Sequence, residues 1–122
     1  MSPRDWRHHV GDMIEAIRKI QEYSAGLSLE DFENDSKTLD AIVRNLITLG
    51  EAARRIPIEV AGRYPSVAWR AIADLRNFAV HEYWGVDAGT IWDTIRVDLA
   101  PLASELKMIL DDSRAGEQPT TD

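Results

Sequence analysis

One stretch of the 122-residue chain concentrates side chains able to do chemistry: Leu75 to Asp87, LRNFAVHEYWGVD, which carries Arg76, Asn77, His81, Glu82 and Tyr83. An imidazole with an ordinary pKa of about 6.5 exchanges protons at neutral pH, and a guanidinium holds a phosphate and offsets the charge of a pentacoordinate transition state. Together they suffice for cleavage of RNA without a metal, because the substrate's own 2′-hydroxyl is the nucleophile and the protein need supply only proton transfer and charge stabilisation. The same residues also fit structural roles, which spacing alone favours. A His near a helix C-terminus suits the dipole, an Arg on a helix rim is commonly solvated, and Tyr83 with Trp84 can simply pack.

Other chemistries lack their residues. There is no G-x-S-x-G elbow, no G-x-x-x-x-G-K-S/T loop and no G-x-G-x-x-G turn. The chain has no cysteine, hence no disulfide, thiolate zinc site or cysteine nucleophile. His8 and His9 are adjacent and diverge on a helix, and with no H-E-x-x-H motif a structural zinc site has no support. Neither a metal nor an organic cofactor is expected.

The elements that must position these residues are helical. Ser2 and Pro3 form a helix start, and Trp6, Val10, Met13, Ile14, Ile17 and Ile20 recur at three and four up to a stop at Gly26. Ser28 and Asp31 have capping-box spacing for one short turn in an acidic connector. A second long helix runs from about Ser36 through Leu39, Ile42, Val43, Leu46, Leu49 and Ala53 and is closed by Pro57. After a short piece, Ile58 to Arg63, the segment from Val67 to about Tyr83 reads as a third long helix ending near Gly85. Asp87 can cap a fourth, with Ile91, Ile95, Leu99, Leu102, Leu106 and Leu110 in register and a kink expected at Pro101. No alternating strand pattern or hairpin turn signal appears, so the fold expected is all-α, an up-and-down four-helix bundle with short extra helices. One domain is expected over residues 1–111, with a disordered tail at 112–122.

The third helix has two apolar sides. Ala68, Ala71, Ile72, Leu75, Phe78 and Ala79 gather on one, expected to meet the core, while Trp69, Ala73, Val80 and Trp84 fall on another with Arg76 among them. That second side calls for a cover: the piece around Ile58, a second subunit, or a binding partner, and in so small a chain a dimer is favoured. Asn77 and His81, four apart, are neighbours on a regular helix. Arg76 and His81, five apart, differ by about 140° around the axis. Either the helix ends or distorts before His81, or the two groups converge on a ligand along the rim, with or without their copies from a second subunit.

A net charge of −7 speaks at first against a polyanion partner, yet its distribution does not. The acidic connector from Ser28 to Asp40 and the tail from Asp111 account for the whole excess. From Glu51 to Gly85, Arg54, Arg55, Arg63, Arg70 and Arg76 face Glu51, Glu59, Asp74 and Glu82, and a local phosphate site is allowed there. The N-terminal MSPRDWRHHV lacks the apolar stretch of a signal peptide and no window is long and apolar enough for a membrane span, so a cytoplasmic location is expected and no membrane association.

Residues Leu75 to Asp87 resemble the R-N-x-x-x-H-x-Y signature of the HEPN superfamily, specifically the HepT-like ribonuclease toxins. DWRHHVGDMIEAIRKI, NLITLGEAARRIP, the P-x-x-x-W of Pro65 to Trp69 and the DLAPL of Asp98 to Leu102 extend the resemblance to about Asp111. The resemblance implies a four-helix-bundle homodimer with paired Arg and His lining a cleft between subunits. It implies metal-independent endoribonuclease activity carried by Arg76 and His81 with Asn77 in support, on an RNA such as tRNA or mRNA. It also implies a minimal nucleotidyltransferase antitoxin that silences the toxin by transferring AMP to a tyrosine, which here is Tyr83. Two other functions compete: a non-catalytic helical partner presenting nucleotide or substrate to a nucleotidyltransferase, with the Arg-His pair as a phosphate clasp, and a plain dimerisation module.

Overall fold

The computed structural model describes residues 5–81 and 88–117, with side chains at all of them except 78–81 and 115–117. The described residues are all-helical: α1 (Trp6–Ser24), α2 (Leu29–Glu33), α3 (Ser36–Arg54), α4 (Ile58–Arg63), α5 (Trp69–His81), α6 (Ala88–Asp93), a π-helical segment (Thr94–Asp98) and α7 (Leu99–Glu117). The long helices α1, α3, α5 and α7 are those the apolar periodicity marks out. The centre of the bundle is filled by Val10, Met13, Ile17, Ile20, Ile42, Leu46, Leu49, Leu99 and Leu106, all buried.

Local chemistry sets the boundaries. The side chain of Ser28 accepts from the Asp31 amide and the Asp31 carboxylate accepts from the Ser28 amide, completing the expected capping box on α2. Asp35 caps α3, its carboxylate accepting from the Thr38 amide at 3.0 Å. Gly26, at φ 76°, turns the chain after α1 in a backbone conformation that favours glycine. The start of α1 differs from expectation: the helix is capped by Asp5, whose side chain accepts from the Arg7 amide, and Ser2 and Pro3 lie outside the described residues. The Asp5 carboxylate also pairs with the Arg7 guanidinium, which adds to its hold on the first turn. The expected cap at Asp87 and stop at Gly85 also lie outside the described residues.

α1 packs on α3 and on α7, and α3 packs on α5. The short α2 leans on α6, Phe32 meeting Trp92 with ring centroids 5.3 Å apart, and the Arg96 guanidinium covers the outer side of Trp92. α5 and α7 leave the fourth side open, with a groove of about 380 Å³ between Ala68, Ala71 and Leu75 on one wall and Val97 and Leu102 on the other.

That groove exposes part of the side of the third helix expected to meet the core, although Ile72 and Leu75 of that side do pack on it. Ala68 and Ala71 are exposed, while Ile72 is buried and Trp69, Ala73 and Arg76 are half-buried on the side toward α3. The reason is fit. Gly50 of α3 offers a notch that the α5 backbone enters at Ala73 and Arg76, and leaving two alanines outside exposes little apolar area. Of the second apolar side, Trp69 and Ala73 are thus covered in part by the chain itself, and Trp84 and the side chain of Val80 lie outside what is described.

The fourth expected helix is divided. The turn Thr94–Asp98 is π-helical, three residues before Pro101, and takes the place of a simple kink. α7 then continues past Asp111, where the sequence suggests the ordered chain ends, to Glu117. The Tyr64 hydroxyl donates to the Asp112 carboxylate at 2.7 Å, so that stretch is tied to the bundle.

Candidate functional site

Arg76 owes its position first to the start of its helix. The turn before α5 is pinned at several points: Tyr64 lies against Trp6, Ser66 donates to Glu105 of α7 at 2.9 Å, and Val67 is buried. The Trp69 indole then donates to the Tyr64 carbonyl at 3.0 Å, fixing the rotation of the first turn of α5. Seven residues, about 10 Å, further along the axis stands Arg76.

Its guanidinium is oriented by two acceptors. Nε–H donates to Oε1 of Glu51 on α3 at 2.9 Å, and Nη1 donates to Oδ1 of Asn77 at 3.1 Å. The Arg76 and Glu51 side chains are 34% and 32% exposed, so the pair sits at the surface edge of the α3–α5 contact. Both Nη2 hydrogens and the second on Nη1 point to no acceptor among the described residues, leaving an edge of the guanidinium able to take a phosphate oxygen.

Asn77 is exposed and accepts from the Arg76 guanidinium. His81 is the last residue of α5, and the helix is α-helical from Trp69 to that point. The helix therefore neither ends nor distorts before His81, and the backbone directions of Arg76 and His81 stay about 140° apart. A regular helix to that point does not by itself bring the two groups together. Glu82, Tyr83 and Trp84 lie outside the described residues. His8 is exposed and His9 buried, the divergence that adjacent helical positions require.

Two residues of the site do not stand out in the sequence. Glu51 lies in the NLITLGEAARRIP segment that carries the resemblance, but no signal in its spacing connects it to Arg76. Gly50 does carry one, since an isolated glycine inside a helical pattern costs helix stability and marks a place where another backbone comes close.

A bundle of four long helices with an Arg–Asn pair and a His on one helix defines the class, and comparison with known proteins gives the family. The family described as Ribonuclease HepT-like matches residues 13–109, and the chain belongs to it. It is 33% identical over 106 residues to “Probable ribonuclease HepT” of Thermococcus cleftensis, covering 87% of this chain and 96% of that protein. It is 34% identical over 109 residues to “Putative RNase TTE0752” of Caldanaerobacter subterraneus subsp. tengcongensis, covering 89% of this chain and 95% of that protein. No solved structure matches the chain. Among the described residues no helix is long and apolar enough to cross a membrane.

Proposed function

We propose that the chain is the toxin of a toxin-antitoxin pair, an endoribonuclease that cleaves RNA without a metal through Arg76 and His81. The observation that carries this reading is the half-exposed Arg76 guanidinium, held by Glu51 and Asn77 with outer-edge donors that meet no acceptor among the described residues, on the same helix as His81 in a chain of the HepT-like family. In the reaction the 2′-oxygen attacks phosphorus and the bond to the 5′-oxygen breaks, which leaves a 2′,3′-cyclic phosphate and a 5′-hydroxyl. His81 moves the protons, taking one from the 2′-hydroxyl and supplying one to the departing oxygen, and Arg76 offsets the charge that gathers on the phosphoryl oxygens. Arg44, Arg54, Arg55 and Arg70, all exposed, are available to hold flanking phosphates despite the acidic net charge.

The partners follow from the same reading. The homodimer rests on the resemblance, since Trp69 and Ala73, the described part of the apolar side that would call for it, pack within the chain. A minimal nucleotidyltransferase antitoxin silences the enzyme by transferring AMP from ATP to the Tyr83 hydroxyl with release of pyrophosphate. The added anion, two residues from His81, repels RNA and blocks its approach.

The deciding experiment is cleavage of a mixed tRNA pool by wild type and His81→Ala, each made without a partner protein and assayed in excess chelator. Cutting by wild type alone, leaving 2′,3′-cyclic ends, is the expected result. Folded, unmodified wild type that leaves every RNA intact while binding a nucleotidyltransferase moves the non-catalytic partner to first place, with Arg76 and Glu51 serving as a clamp between helices.

A further inference from the structure

We infer that Glu51 is a positioning residue for RNA cleavage: it holds Arg76 in the rotamer that presents its Nη edge to the scissile phosphate. The inference rests on the ribonuclease reading of Arg76 given above. An arginine side chain has many rotamers, and a guanidinium aimed only by solvent loses binding energy to being ordered each time substrate arrives. Here the ordering is done in advance. Gly50 lets the Arg76 backbone come against α3, and the next residue, Glu51, takes the Nε–H at 2.9 Å, so consecutive residues of α3 fix both the root and the head of one side chain. Asn77 secures Nη1, which restricts the plane of the guanidinium as well as its place.

The choice of Nε as the bonded atom matters chemically. A carboxylate gripping both Nη atoms would occupy the face that a phosphate needs, whereas a bond to Nε leaves the outer edge open. Glu51 also places a negative charge beside the phosphate site, which works against RNA binding. A residue selected only to attract substrate would not be an acid. Reach to Nε, rather than charge, is therefore the property that Glu51 contributes.

Substitutions separate reach from charge. Glu51→Gln keeps an oxygen at the same distance and removes the charge, while Glu51→Asp keeps the charge and withdraws it by one methylene. The expected result is a kcat lowered about 10- to 100-fold in Glu51→Asp, as misplacement of a catalytic group produces. Glu51→Gln is expected to stay within a few-fold of wild type, with KM for RNA no higher. Circular dichroism at the assay temperature establishes that each variant is folded, and the Arg76 Nε–H resonance reports whether its hydrogen bond persists. Glu51→Asp cleaving at the wild-type rate overturns the inference and leaves the ribonuclease reading standing, as does Glu51→Gln failing as badly as Glu51→Asp. Arg76→Ala cleaving as wild type overturns the reading itself, and the inference with it.

Discussion

Gly50 on α3 and Arg76 on α5 meet backbone to backbone. A methyl group at Gly50 would stand 2.7 Å from the Arg76 amide nitrogen and 2.8 Å from its Cβ, with the Ala73 carbonyl oxygen at 3.1 Å. None of these atoms is the movable end of a side chain. The place of Arg76 in the bundle is consequently decided by the neighbouring helix as much as by its own.

Gly50→Ala is expected to lower stability by about 1–3 kcal/mol, because α3 and α5 must separate to admit the methyl group. This exceeds the gain of about 1 kcal/mol that alanine brings to a helix interior. Gly11, in the middle of α1, supplies the control, since a methyl group added there would meet nothing within 4 Å. Gly11→Ala should raise stability by up to about 1 kcal/mol. Urea denaturation midpoints of the two variants check both signs, and cleavage should fall only for Gly50→Ala.

The bond from Tyr64 to Asp112 ties the last helix to the turn that starts α5. Tyr64→Phe removes it, and since both groups are partly open to water the expected cost is about 0.5–1 kcal/mol. Shortening the chain to residues 1–111 takes away the acceptor and should cost the same. The two changes combined should cost no more than either alone, a non-additivity that a double-mutant cycle by thermal denaturation reads directly.

Acid should weaken α1 at its start. The Arg7 guanidinium, with help from the Arg7 amide, holds the Asp5 carboxyl down from 3.8 to about 2. A depressed carboxyl adds stability that is fully present above its unfolded pKa and is lost as pH falls through the folded one. The window therefore lies between about pH 4 and about pH 2, and the effect is small because the pair is solvated. Asp5→Asn retains a capping oxygen without the titration. Its stability measured against pH should be flatter than wild type in that window, and identical slopes would remove Asp5 from the account.

Pro101 should do little harm where it stands. In a regular helix interior proline costs about 3 kcal/mol, through a lost donor and a clash with the carbonyl four residues back. Here that carbonyl belongs to Val97, inside the π-helical turn, where the backbone is already widened. Pro101→Ala is expected to stabilise the chain by less than about 1 kcal/mol. A gain near 3 kcal/mol in denaturant titration would show that the turn does not relieve the clash.

The long helices are legible because their apolar residues repeat at helical spacing, and the capping box at Ser28 is legible because its spacing is its mechanism. Which residues of α5 face inward is legible only in part, for Ile72 and Leu75. Ala68 with Ala71 and Trp69 with Ala73 offer similar apolar sides, and the choice is made by Gly50, a residue on another helix that no periodicity connects to them. The candidate site is half legible for the same reason: Arg76, Asn77 and His81 lie close together on one helix, while Glu51 reaches Arg76 only through the crossing of α3 and α5. The cap at Asp5 is hard to read because Ser-Pro is a stronger local signal than a carboxylate followed by an arginine two residues on.

The π-helical turn gives the segment between α6 and α7 a tolerance that α5 lacks. A turn of that kind houses one residue more than an α turn, so a relative lacking one residue between 94 and 98 could close to a regular helix and keep the core-facing residues of α7 on the same side. A residue lost between Arg76 and His81 in α5 would instead rotate His81 by about 100° relative to Arg76. Length variation among relatives should accordingly collect in the former segment and spare the latter.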